Sequence, residues 1–154
     1  MCISMKSEIE LFKALSNETR LRIMKLLAGF KKPICVCEIV DSLGLPQYLI
    51  SRHLNILRRA GLVEDIRDGI WVSYSIPDRP TPLVHQVLEA INHHLNGSLF
   101  DEDHQRLRLR FRLRQGGRCV VGYDNNKFSK LVAKLEKTKK IRWPGADSLR
   151  NTRE

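Results

Sequence analysis

Cys35 and Cys37 stand one residue apart in "KKPICVCEIVDSLG", residues 31–44, where helical spacing of apolar residues begins. Thiols so placed can pack as small hydrophobes, exchange as a redox pair, or offer soft thiolates to a soft, thiophilic centre. With Val36 at zero on a helical wheel, Ile39, Val40 and Leu43 form the apolar stripe, and the two cysteines fall about 100° to either side of it. Neither lies at the centre of the stripe, which counts against core packing. Side chains at i and i+2 of a regular helix point about 200° apart, so two sulfurs converging on one ion are expected to distort the first turn. A helix N-terminus beside Lys31 and Lys32 should favour thiolate over thiol. Cys119, in the glycine-flanked "GGRCVVGY", and Cys2, at the N-terminus, are the other cysteines; four at such spacings do not make the disulfide framework of a small secreted domain.

The elements that must position these thiols are mostly helical. "KSEIELFKALSNETRLRIMKLLAG" carries two runs of helical spacing, split by Ser16, Asn17 and Thr19, with N-cap chemistry, and closed by Gly29 and Pro33. A third helix is expected over 36–43, ended by Gly44, and a fourth begins near Pro46. In the fourth, Ile50, Leu54 and Leu57 form an apolar back, while Tyr48, Ser51, Arg52, Asn55 and Arg59 face the other way. Guanidinium, amide and hydroxyl groups on such a front suit base edges and phosphate oxygens, although a solvated surface has the same look. Alternation at Ile70, Val72, Tyr74 and Ile76 after Asp68-Gly69 predicts a β-hairpin. A fifth helix is expected from about Thr81 to Leu95.

This order, ααααββα, is a mostly α fold with a β-hairpin wing (α+β), a winged helix-turn-helix with a basic C-terminal extension. Its fourth helix is expected in the DNA major groove, with Arg67, Asp68 and Gly69 at the hairpin tip near the flanking backbone. The expected division is a DNA-binding domain over 1–98 and a basic extension over 99–154, whose loop near Cys119 is a candidate ligand-bearing loop. In the extension, "QRLRLRFRLR" alternates like a strand, yet Leu107/Phe111 and Leu109/Leu113 are i, i+4 pairs, and a helix is expected. A short basic amphipathic helix, "KFSKLVAKLEKTKK", and a frayed end from Ile141 follow.

The run from "LFKALSNETRLRIMKLLA" through "CVCEIVDSLGLPQYLISRHLNILRRAGLVEDIRDGIWVSYSI" resembles the ArsR/SmtB family of metal- and metalloid-responsive repressors, over roughly residues 8–95. "CVCEI" is similar to the arsenic box of its arsenite-responsive members. The resemblance implies a homodimer, joined through the first and fifth helices, that sits on double-stranded operator DNA and leaves it when As(III) or Sb(III) binds cysteine thiolates. By position, Gln47, Ser51 and Arg52 match DNA-contacting residues of the family. The box departs from the pattern at Val40, where a third cysteine is usual, so the third sulfur is sought elsewhere: Cys119 is preferred over Cys2 or a small-molecule thiol. The zinc-ligand spacing of another branch fails too, because His85 is followed by His93 and His94 at the wrong distances.

An alternative keeps the fold and makes the cysteines a redox or persulfide switch, through a bridge from Cys35 or Cys37 to Cys119. An enzyme is not expected, since no base stands beside a cysteine and no phosphate loop is present; nor is an organic cofactor. The formal charge of +10 belongs to the end of the chain, where residues 105–154 carry 15 Lys/Arg against 4 Asp/Glu, whereas residues 1–104 carry 12 against 13. That basicity either adds phosphate contacts or solvates the end, the second being preferred. The cytoplasm is the expected location, because no apolar run is long enough for a membrane span and "MCISMKSEIE" lacks a signal peptide's apolar core.

Overall fold

The computed structural model describes residues 5–123 and 126–138; Cys2 and the expected frayed end lie outside them. Among the described residues, seven helices and a small sheet follow in the order α1 (Met5–Leu15), α2 (Glu18–Phe30), β1 (Ile34–Cys35), α3 (Val36–Leu43), α4 (Gln47–Arg59), β2 (Glu64–Asp68), β3 (Trp71–Ser75), α5 (Pro82–His94), α6 (Ser98–Phe111) and α7 (Asn126–Lys137). The winged helix-turn-helix is present, with β1 as an added strand.

Local chemistry sets most boundaries. Asn17 caps α2, its side-chain oxygen accepting the Arg20 N–H at 3.1 Å. The close expected at Gly29 comes later: α2 runs through to Phe30 and ends on Lys31 at φ 49°. Gly29 serves packing instead, because a Cβ there would meet the His104 imidazole at 2.8 Å. Gly44, at φ 65°, ends α3 as expected, donating its N–H to the Val40 carbonyl. Pro46 is the N-cap of α4, one residue before the first helical turn proper. Thr81 caps α5 by accepting the Val84 N–H at 3.3 Å. Thr81→Ala is expected to cost about 1 kcal/mol, read as a lower urea midpoint at unchanged slope.

The sheet is ordered β1-β3-β2 and is antiparallel throughout. Asp68 pairs with Trp71, so the two-residue turn is Gly69-Ile70, one position later than Asp68-Gly69, with Gly69 at φ 59°. Arg67 and Asp68 therefore belong to strand β2, and the side chain at the tip is Ile70, 87% exposed. The short β1 pairs Ile34 with Tyr74 and Cys35 with Ser73, fastening the entry to α3 onto the wing.

Ile23, Leu26, Leu27, Ile39, Ile50, Leu54 and Leu57 are fully buried in one core. That core also holds Leu107, so α6, beyond the expected division at residue 98, packs back onto the winged helix. The "QRLRLRFRLR" run is helical over most of its length because its residues sort by the helical period: Leu107 and Arg110 face inward, Arg108 and Arg112 outward. Phe128 of α7 covers Leu109, with Leu113, Leu131, Val132 and Leu135 around them. Among the described residues no helix is long and apolar enough to cross a membrane.

Candidate thiol site and nucleic-acid interface

Cys35 is the last residue of β1 and the N-cap of α3, with extended backbone at φ −67°, ψ 146°. Its sulfur is therefore not on the helical wheel, and the opposition expected of an i, i+2 pair does not arise. The Cys35 and Cys37 sulfurs lie 3.3 Å apart with α3 intact from Val36, so no distortion of the first turn is needed for them to converge. The Cys119 sulfur comes in from the loop after α6, 3.3 Å from that of Cys37. All three sulfurs fall within 4.8 Å of one another. Among the described residues, no other trio of thiol, imidazole and carboxylate groups converges in this way, and His85, His93 and His94 are exposed.

Two buried ion pairs frame the trio. Glu38, with no exposed surface, accepts the Cys35 backbone N–H at 2.9 Å and takes the Arg114 fork through Nε at 2.7 Å and Nη2 at 2.6 Å. Arg110, equally buried, donates from Nε to Asp41 at 2.6 Å and from Nη2 to the Val121 carbonyl. The Cys37 and Cys119 sulfurs also lie 3.4 Å and 3.6 Å from that carbonyl. At the other end of α6, Asp103 takes both Nε and Nη2 of Arg22 at 2.8 Å. The basic extension is thus partly internal: α6 and the turn after it are riveted to α2 and α3 by arginines.

Cys35 is held down at about 3, first by the Cys119 thiol and then by the Cys37 thiol, both donating to its sulfur. Cys37 and Cys119 are pushed up in turn, since each keeps a proton that a neighbouring sulfur uses. Lys32, one of the lysines expected to favour thiolate, stands instead 4.4 Å over the Phe111 ring. Cys35 and Cys37 are each only 2% exposed, whereas Cys119 is half-buried and lines an open groove of about 690 Å³ against Ile70 and Trp71 of the wing. A soft ion approaching from solvent therefore meets Cys119 first.

The same segment runs on to Tyr123, whose phenol is pushed up to about 12 by burial and the nearby thiols, against a hydrogen bond with Gln47. Gln47 is the first residue of α4. On that helix Gln47, Tyr48, Ser51, Arg52 and Arg59 are exposed, and Asn55 is half-buried, accepting the Arg58 Nη2 at 2.9 Å. Ile50, Leu54 and Leu57 are fully buried behind them. Arg67 is exposed on β2, its Nε 3.5 Å from Asp65.

Sequence reasoning passed over Glu38, Arg110 and Arg114. For Glu38 a signal was present: an acid three residues after an N-cap is the reciprocal-capping spacing, disguised because the cap is a cysteine. Arg110 shares a helical face with the inward Leu107 and Arg114 follows just after the end of α6, but arginine is read outward by default.

A polar-fronted helix set on a buried apolar back, followed by a β-hairpin wing, defines a winged-helix DNA-binding protein, here with three thiols gathered at the base of its helix-turn-helix. The family model described as "Bacterial regulatory protein, arsR family" matches residues 17–65. An uncharacterised HTH-type transcriptional regulator of Methanocaldococcus jannaschii is 51% identical over 69 residues, 45% of this chain and 76% of that one. The arsenic resistance transcriptional regulator ArsR2 of Pseudomonas putida is 41% identical over 81 residues, 53% of this chain and 70% of its own. Among solved structures, HlyU from Vibrio cholerae superposes with a TM-score of 0.50 at 31% identity, over 59% of this chain and 94% of that one. The chain belongs to the ArsR family of transcriptional repressors. Regulators of this family bind DNA, are generally dimeric and are not enzymes.

Proposed function

We propose that this protein is a homodimeric repressor that holds double-stranded operator DNA and releases it when As(III) or Sb(III) is bound by Cys35, Cys37 and Cys119. The observation that carries this reading is the convergence of three sulfurs, two of them on the entry to the helix-turn-helix and one on a segment that reaches α4. Three soft donors, with no fourth beside them among the described residues, suit a pyramidal three-coordinate centre. Four thiolates around zinc, with Zn–S about 2.3 Å, stand about 3.8 Å apart, and the spacing to Cys37 here is 3.3 Å on both sides. When bound, the ion would supply three bonds to sulfur; the chain's part is to bring the thiols together, bury two of them and leave the third at a groove. The ArsR2 relative is named for arsenic resistance, which agrees.

Gln47, Tyr48, Ser51, Arg52, Asn55 and Arg59 form the reading face, and Arg67 approaches the flanking backbone. Arg52→Ala is expected to cost about 1–3 kcal/mol of operator affinity, with relaxed specificity if Arg52 meets a base edge and a shallower salt slope if it meets phosphate. Unchanged affinity and slope in a salt-series titration would take α4 out of the interface. Dimerisation is assigned to α1 and α5. On α1, Met5, Ile9 and Phe12 expose 70%, 46% and 56% of their surface at i, i+4, i+7, an apolar stripe that a second copy would cover. A cytoplasmic site of action follows from DNA as the partner and from three cysteines that are free.

The test is a gel-shift titration with arsenite under full reduction. Wild-type protein is expected to leave its operator, and retention at every arsenite level would overturn the reading. A second reading, a disulfide or persulfide switch, is favoured by one observation, the 3.3 Å between Cys37 and Cys119. It predicts release by oxidant or persulfide alone, with a matching mass change on those two residues.

A further inference from the structure

Arg110 has no exposed surface, and its Nη1 is a buried side-chain nitrogen with no hydrogen-bond partner. Burying a charge with a donor unmatched lowers stability, and apolar replacements of buried ion pairs often raise it. Packing alone would thus favour a leucine or methionine here. What arginine adds is a rigid planar fork whose donors sit on separate nitrogens in fixed directions, whereas the donors of lysine share one nitrogen on a flexible stem.

The two acceptors lie on different parts of the chain. Nε holds Asp41 on α3, the helix that carries Cys37, and Nη2 holds the carbonyl of Val121, two residues after Cys119. The Cys37 and Cys119 thiols close on that same carbonyl. We infer that Arg110 is a positioning residue: its fork pins the Cys119 segment to α3 and so makes a three-sulfur site from a two-cysteine motif. This rests on the thiol-site reading above and deepens it, because the coordination number is then set from α6, by a residue that touches no ligand atom.

The experiment uses the full-length protein in two settings. In a Cys2→Ser, Cys35→Ser background only Cys37 and Cys119 remain, and dibromobimane, which fluoresces on bridging two neighbouring thiols, reports their proximity without arsenic. Arg110→Gln is expected to lower the bridging rate at least tenfold. Arg110→Lys, which keeps the charge but lacks the fork, should behave like the glutamine variant, and Arg108→Gln, an exposed arginine of the same helix, should match the parent. In the otherwise unmutated protein, arsenic X-ray absorption should count three sulfurs per arsenic for Arg110 and two sulfurs with one oxygen for Arg110→Gln.

Operator affinity without arsenite, kept within about twofold by the variants, shows that the fold is intact. If Arg110→Gln does not fold, Asp41→Asn cuts the same link more mildly and is expected to slow bridging in the same assay. Bridging at the parent rate in a folded Arg110→Gln or Asp41→Asn protein overturns the positioning role, whatever arsenic does. Arg110-dependent bridging in a protein that takes up no arsenite leaves the positioning role standing and overturns the arsenic reading instead.

Discussion

Under the proposed arsenic response, Cys37→Ser is expected to stay on its operator at arsenite concentrations expected to strip the wild type completely. Cys37 is the middle sulfur, 3.3 Å from each of the others, and its removal leaves Cys35 and Cys119 without the donor between them. Because a third thiolate held on the same chain acts at high effective concentration, its loss should weaken arsenite binding by roughly 10²–10³-fold. Serine keeps the size of the side chain and can still donate to the Val121 carbonyl, so operator affinity without arsenite should be unchanged. The comparison is made by gel shift at matched protein concentration. Release of Cys37→Ser at the wild-type midpoint would show that Cys37 is no ligand, and Cys119→Ser is expected to fail in the same way.

The second large effect is on stability. Glu38→Ala removes the carboxylate that holds the Arg114 fork and the Cys35 N–H, leaving a largely buried guanidinium without its partner. Cutting one partner out of a buried pair costs about 3–5 kcal/mol, a large part of the 5–15 kcal/mol that holds an ordinary domain together. The urea midpoint should fall accordingly with the slope preserved. Adding Arg114→Met should restore part of the loss, because the stranded charge goes with it, and the double-mutant cycle gives the coupling. A loss under about 1 kcal/mol for Glu38→Ala would mean that water replaces the carboxylate and that the pair is exposed in solution.

The winged helix was legible in the sequence because its signals are local. The stripe of Ile50, Leu54 and Leu57, the Gly44 stop and the hairpin each rest on signals within a few residues, and the structure has all three, although Ile70 of the expected alternation lies in the turn and β3 is half-buried throughout. The turn at Gly69-Ile70 was missed by one position because Asp-Gly is a favoured pair in such turns, while cross-strand register, which no local signal carries, decides which residues stay paired. The geometry of the cysteine pair was misjudged for a related reason. Helical periodicity was extended one residue too far, onto Cys35, whereas pairing of that residue with Ser73 holds it extended. Nothing near position 35 in the sequence announces a partner strand at 73. The frame of the site was hidden for a third reason: Arg110 and Arg114 find their acids in residues 41 and 38, and ion pairs so distant in sequence leave no periodic trace.

The sulfurs of Cys37 and Cys119 are neighbours in space but 82 positions apart along the chain. Any agent bonded to both ties the polypeptide into a closed ring, and the ring persists when the protein unfolds. By the loop-closure relation for a cross-link of that span, the unfolded chain loses entropy worth about 4.5 kcal/mol at 25 °C. Protein bridged at these two sulfurs should thus be the tougher form, melting higher and resisting proteases longer than the unbridged protein.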